Sequence, residues 1–346
     1  MVDTNKTRLM HWSEVLRKYR SKYGIYLVLI AMFALSSIIS PVFLSVNNIA
    51  NISRQISIIT IIAFGATILI ISGQLDLSAG SVLALAGVLS VAVYKASGSL
   101  VLAMVIGLAI GILCNFLNGI MVTRFGTPPF IATLAMQTVA RGVVLLYTNG
   151  QNIYQIGDYI VFGQGSIGNI PTPIFFMVFI MMITWYLLRH TRLGRSLYAV
   201  GGNMEAARAS GINITNTKMK AYIINGMFVG LAGVLFMSRV NAGLPNAGIG
   251  AEFEGMTSAI IGGTSFSGGI GSAGGTMIGA FIMGILNNIM NLMRVESYVQ
   301  QVIRGAIIAL AVIYDIRSKK GGIKLLGSIT NWLKKYSRTL STGQNT

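Results

Sequence analysis

Ten apolar runs, most of them close to the length of a bilayer crossing, follow one another between Gly24 and Ile316. A helix needs about 20 apolar residues to cross roughly 30 Å of hydrocarbon. That ruler places the runs at 24–43, 49–72, 79–95, 99–123, 128–147, 173–189, 219–239, 254–264, 274–293 and 298–316. The expected class is an all-α polytopic membrane protein with about ten transmembrane helices. Its eighth run is short and interrupted by glycine. Composition agrees, because only 10% of the 346 residues are charged, against about 25% in soluble domains.

The net charge of +17 would invite a nucleic-acid reading if the basic residues were spread along the chain, but their placement follows the runs. Lys6, Arg8, Arg17, Lys18, Arg20 and Lys22 precede the first run, and Arg317, Lys319, Lys320, Lys324, Lys334, Lys335 and Arg338 follow the last. Arg124, Arg189, Arg192, Arg195, Arg208, Lys218 and Lys220 fall on connections of the same side. By the positive-inside rule that side is cytoplasmic. The expected organisation is a basic segment 1–23, a transmembrane domain 24–316 with a cytoplasmic loop 190–218, and a basic tail 317–346, with both termini cytoplasmic. The first run lacks a small-residue cleavage signature and is read as an uncleaved span. Cys114 is the single cysteine, and His11 and His190 stand far apart. No disulfide, His/Cys metal cluster or Cys–His pair can be built from them.

The loop 190–218 carries more pattern than a connection needs. Asn203 can cap a helix, Glu205 suits its positive end, Arg208 follows, and Gly211 can end it. About two turns of helix are expected outside the membrane. A helix that short is not stable alone, so it either docks on something or is an incidental turn in a surface loop.

The stretch Glu205-Ala-Ala-Arg-Ala-Ser-Gly211, preceded by Thr191-Arg-Leu-Gly-Arg-Ser-Leu-Tyr-Ala-Val-Gly-Gly-Asn203, resembles the EAA-type loop of permease subunits of bacterial ABC importers. Three further stretches resemble the ribose-type sugar permeases of the branched-chain amino acid/ribose permease superfamily: 71–87, 126–142 and 261–272. Gln74, before Leu75 and Asp76, is a modest departure. The resemblance implies a type II importer-like fold of ten helices with an internal inverted repeat. It implies that Gly202, Asn203, Glu205, Ala206, Ala207, Arg208 and Gly211 couple the chain to a separate ATP-binding subunit, which holds ATP and magnesium. Its other implied partners are an extracytoplasmic substrate-binding protein and a second permease copy, expected as a homodimer in the lipid of the bacterial inner membrane. No cofactor is expected on this chain, and no nucleic acid.

The residues themselves fit a chain that does not hydrolyse ATP. There is no G-x-x-x-x-G-K-[ST] phosphate loop. Gly269-Ile-Gly-Ser-Ala-Gly274 matches G-x-G-x-x-G, but no strand precedes it, and it reads as a connection between spans. Asp76 sits at the inner edge of the second run before Ser78-Ala-Gly-Ser81, where its carboxylate can cap the next helix. A proton relay, the alternative, needs ionisable groups deeper in the bundle.

Among the amides within the runs, Asn115, Asn118, Gln137, Asn225, Asn287 and Asn291 stand out. They are candidates for the translocation path, where amides bond hydroxyls, and equally for joining helices. Arg54, Arg141 and Arg304 all fall about 8–9 Å below the nearest outer end at 1.5 Å per residue. They either snorkel to the interface or form an outer gate, pairing with Glu252, Glu254 or Glu296. The expected function is the permease of an ATP-driven importer for ribose or a similar monosaccharide, and not an enzyme. The alternative is an ion-coupled secondary transporter of a small polar solute.

Overall fold

Lipid offers no partner to a backbone N–H or C=O, so apolar runs close their hydrogen bonds internally as helices. The computed structural model describes residues 24–319, and the predicted basic segment 1–23 and the tail beyond Lys319 lie outside these. The helices are α1 (Gly24–Ile39), α2 (Val46–Ile71), α3 (Ala79–Ser97), α4 (Leu100–Thr123), α5 (Pro129–Thr148) and α6 (Thr172–His190). They continue with α7 (Arg192–Gly202), α8 (Met204–Ala209), α9 (Ile214–Val240), α10 (Ala251–Ile261), α11 (Ala273–Leu292) and α12 (Ser297–Lys319). Among the described residues, eight of these are long and apolar enough to cross a membrane: α2 to α6, α9, α11 and α12. Within the described residues the first predicted run is the shorter helix α1, and the eighth, expected to be short, is the 11-residue α10.

From Ile56 on, α2 is apolar on nearly every face, and a helix of that kind must be enclosed. It is packed by α6, α9, α10 and α11, and Ile61, Phe64, Ile68 and Leu69 are fully buried. A second dense seam joins α4 to α9. The small-residue pair Gly107 and Gly111 faces Gly226 and Gly230, and a Cβ on Gly111 would fall on the Gly226 carbonyl oxygen. Small residues at such spacing let helix backbones approach in lipid, where no hydrophobic force drives them together. The pair Gly275 and Gly279 on α11 meets Gly262 and Ser258 in the same manner.

The molecule has two ends, and the α7–α8 elbow marks one. At the other, the connection 149–171 is largely exposed but anchored by the buried Ile156, Tyr159, Gly163 and Pro171. It contains a 3₁₀ turn, Gly157–Phe162, and a two-residue hairpin of β1 (Ser166–Ile167) and β2 (Ile170–Pro171). Tyr159 is buried there, and its hydroxyl lies 2.8 Å from Ser90 Oγ.

Two segments fold back into the bundle instead of leaving it. After Ile71, at the elbow end, Ser72–Ser78 turns in between α4 and α9, and α3 starts deep in the bundle at Ala79. After Val240, at the opposite end, 241–250 turns in, and Gly248 reaches Gly80 in the first turn of α3. Gly248 and Gly250 adopt φ +74° and +84°, values that favour glycine, and α10 begins at once. α3 and α10 therefore start side by side and run to opposite ends, which is why α10 is too short to cross alone.

Candidate functional site

The elbow is built from three consecutive N-caps. Thr191 Oγ1 accepts from Gly194 N at 3.0 Å and starts α7. Asn203 ends α7 and starts α8, its Oδ1 accepting from Ala206 N at 3.0 Å. Asn213 Oδ1 accepts from Asn216 N at 2.9 Å and starts α9. Sequence reading placed the α8 helix and its Asn203 cap but read 191–202 as plain loop. α7 forms because Gly194, Leu197 and Val200, three residues apart, bury one face. Gly211, at φ +78°, closes α8 as its N–H donates to Arg208 O.

α8 holds on to the bundle through Ala207, which is buried, while Met204, Glu205, Ala206 and Arg208 face outward. Glu205 and Arg208 pair at 3.0 Å with their side chains 72% and 62% exposed. A pair so exposed contributes only about 0.3–0.5 kcal/mol to a helix, so stability does not account for the outward face. Arg189, Arg192, Arg195, Lys218 and Lys220 stand on the neighbouring helices and make this end strongly basic.

A polar centre lies deeper. Asp76 Oδ1 accepts from Ser78 N at 2.7 Å and also from the Ser78 hydroxyl, while Asp76 Oδ2 accepts from Asn225 Nδ2 at 2.6 Å. Asn225 Nδ2 also reaches Asn115 Oδ1 at 2.9 Å, and Asn118 Nδ2 donates to Ser78 Oγ at 3.0 Å. Asn115, Asn118 and Asn225 are fully enclosed in this chain. They tie α4 and α9 to the fold-back segment, so the structure brings three of the six predicted amides together. Asn225 lies 11 residues into α9, roughly 16 Å along it. Asp76 therefore sits well inside the bundle, not at the edge where the sequence reading put it. The carboxylate cost of that depth is offset by three donors and by the start of α3.

The other predicted residues gather toward the opposite end, around α10. Arg304 Nη1 pairs with Glu254 Oε1 at 2.8 Å, and Asn287 Nδ2 lies 3.4 Å from the same oxygen. Asn291 Oδ1 accepts from Gln300, whose Oε1 accepts from Arg304 Nη2 at 3.1 Å. Gln137 Nε2 reaches Glu252 Oε1 at 3.5 Å, and Arg141 donates to Pro245 O in the second fold-back. Arg54 donates to Gln164 O at 3.1 Å. The three arginines thus hold three different elements rather than one another. Glu252 and Glu254 stand in the first turn of α10, which has no side-chain cap, and there the helix dipole favours a carboxylate.

Comparison with known proteins agrees with this architecture. Residues 48–312 match the family described as the branched-chain amino acid transport system permease component. The ribose import permease protein RbsC of Escherichia coli K12 is 39% identical over 84% of this chain and 92% of its own length. RbsC of Bacillus subtilis is 39% identical over 91% and 97%. The D-allose transport system permease protein AlsC of Escherichia coli K12 is 37% identical over 85% and 91%. No solved structure matches the chain.

Proposed function

The chain belongs to the branched-chain amino acid transport system permease family, and on that premise we propose that it forms the membrane pathway of an ATP-driven importer of ribose or a similar monosaccharide. Its relatives are ribose and allose import permeases, and it is a sugar-importer permease subunit, not itself an enzyme. In this reading ATP and magnesium bind a separate subunit, an extracytoplasmic protein delivers the sugar, and two copies of the chain form the pathway in the inner membrane. The basic elbow end, with Arg124, Arg189, Arg192 and Arg195, faces the cytoplasm, as the positive-inside rule requires. The apolar outward faces of α1, α5 and α12, with Ile38, Leu146 and Val302, are left for lipid and the second copy.

The observation that carries the proposal is α8. It is a six-residue helix, capped at both ends, presenting Glu205 and Arg208 away from the bundle. Such a helix is the right size for a groove on a partner, and its caps keep it formed before docking. Gly202 and Gly211 flank it with no Cβ neighbour, leaving room for a partner's surface. The amides of the polar centre join helices in the single chain, and Arg304, Arg141 and Arg54 brace the far end as parts of an outer gate.

The test is a mild-detergent purification of the tagged chain from its native membrane, beside the variant Glu205→Lys. We expect an ATPase and a secreted binding protein to accompany the native chain, and the ATPase to be lost from the variant. A folded native chain that arrives alone would overturn docking and leave ion-gradient-driven uptake, with Asp76 as its intramembrane carboxylate, as the reading to pursue.

A further inference from the structure

The segment Gly262–Ser272 joins α10 to α11 at the elbow end, and it touches three other elements. Gly269 N donates to Ile71 O, the last residue of α2, at 2.9 Å. The Tyr198 hydroxyl of α7 donates to Gly271 O at 2.8 Å. Gly201, also on α7, lies directly on both: a Cβ there would fall on Ile71 O and 2.8 Å from Gly269 N. On the far side, Asp315 Oδ2 of α12 accepts from Ser265 Oγ at 3.0 Å and from Phe266 N at 2.9 Å.

The segment is a compact body rather than a slack tether. Ser265 N donates to Ile270 O at 3.0 Å and Gly268 N to Ser265 O at 2.9 Å, closing a tight turn. Thr264 and Ser265 are buried. A body of this kind passes on a displacement, whereas a flexible linker would absorb it. The elements on its two sides also differ in what they can do. α2 is enclosed from Ile56 on, while the described side chains of α12 are nearly all partly or fully exposed. An element with few buried contacts yields more readily than one that is enclosed.

We infer that Gly262–Ser272 is the relay through which the α7–α8 elbow moves α12, with Tyr198 and Asp315 as positioning residues at its two faces. This rests on the coupling reading of the elbow. Neither residue belongs to α8, so relay and docking can be separated by experiment.

The test uses the complex of permease, ATPase and binding protein in proteoliposomes, with ribose as the probe. Uptake per ATP hydrolysed is measured for Tyr198→Phe, Asp315→Asn and Asp315→Glu. Tyr198→Phe removes one hydrogen bond and little volume, and the loss of one such bond is worth about fivefold in an equilibrium; Asp315→Asn keeps an acceptor oxygen but removes the charge that strengthens both of its bonds. We expect the ratio to fall by about that factor in Tyr198→Phe and by more in Asp315→Asn, with the ATPase still co-purifying in native amounts. Asp315→Glu should recover part of it, since a carboxylate still reaches Phe266 N. An unchanged ratio in both variants overturns the relay, as does a loss of uptake matched by loss of assembly. If Glu205→Lys keeps its ATPase while Asp315→Asn uncouples, docking at Glu205 fails and the relay stands.

Discussion

Two segments interrupt the helices at the elbow end, Ser72–Ser78 and Gly262–Ser272, and they are held in opposite ways. The first is fixed by side chains brought from α4 and α9: Asp76 and Ser78 are locked by Asn225, Asn115 and Asn118. The second is held by a few bonds to elements on either side: one to Ile71, one from Tyr198 and two to Asp315. A buried polar network in which each group depends on the others is rigid, because breaking one bond strands several groups in low dielectric. A body attached through a few bonds that do not depend on one another can shift with whatever it is attached to. The contrast makes Ser72–Ser78 part of the frame and Gly262–Ser272 the part that moves.

The comparison breaks most decisively at Asn225. Asn225→Ala removes a donor from Asp76 and from Asn115 at once, and each buried group left short of a partner costs about 1–3 kcal/mol. Thermal unfolding in detergent should show the largest loss of stability of any single change discussed here, with no folded but uncoupled protein. A mild drop would mean that Ser72–Ser78 is not the frame.

Gly201→Ala comes next. Its Cβ meets backbone rather than a flexible side chain, and overpacking of that kind costs about 1–3 kcal/mol. The elbow should be pushed off Ile71, and limited proteolysis within 190–212 should quicken while the melting of the remainder changes less. Equal protection of the elbow in both proteins would show that α7 does not rest on α2.

Tyr198→Phe sharpens the contrast further, because one neutral hydrogen bond is worth only about 0.5–1.5 kcal/mol. Melting should shift slightly while coupling shifts clearly. Burial also holds the Tyr198 phenol above its usual range, so the bond to Gly271 stays protonated across the physiological range and coupling should not vary with pH between about 6 and 9. The smallest effect belongs to Glu205→Ala. Its exposed pair with Arg208 contributes little, and stability should stay within about 0.5 kcal/mol while the ATPase is bound more weakly.

Much of the architecture was legible in the chain. Apolar length marked the crossing helices, and Asn203 with Gly211 marked α8. The depth of Asp76 was not. Hydropathy reads Gly73-Gln-Leu-Asp76 as the edge of a span, because polar residues after an apolar run end it by that measure whether the chain exits or turns back. A glycine and two polar residues wedged between long apolar runs was the available signal. α10 was placed three residues late, at 254–264 instead of Ala251–Ile261, since its start depends on where 241–250 folds, not on its own composition.

Sequence alone determined the class of the protein, the number of apolar runs and which connections are basic, because hydropathy, charge and capping act between near neighbours. Only the tertiary structure decided that Asp76 meets Asn225 and Ser78 meets Asn118, that Arg304 reaches Glu254, and that Ser265 finds Asp315. These partners lie tens to more than a hundred residues apart. In a membrane a polar group takes whichever partner the packing of glycine seams and folded-back segments brings within about 3 Å, and no local pattern encodes that choice.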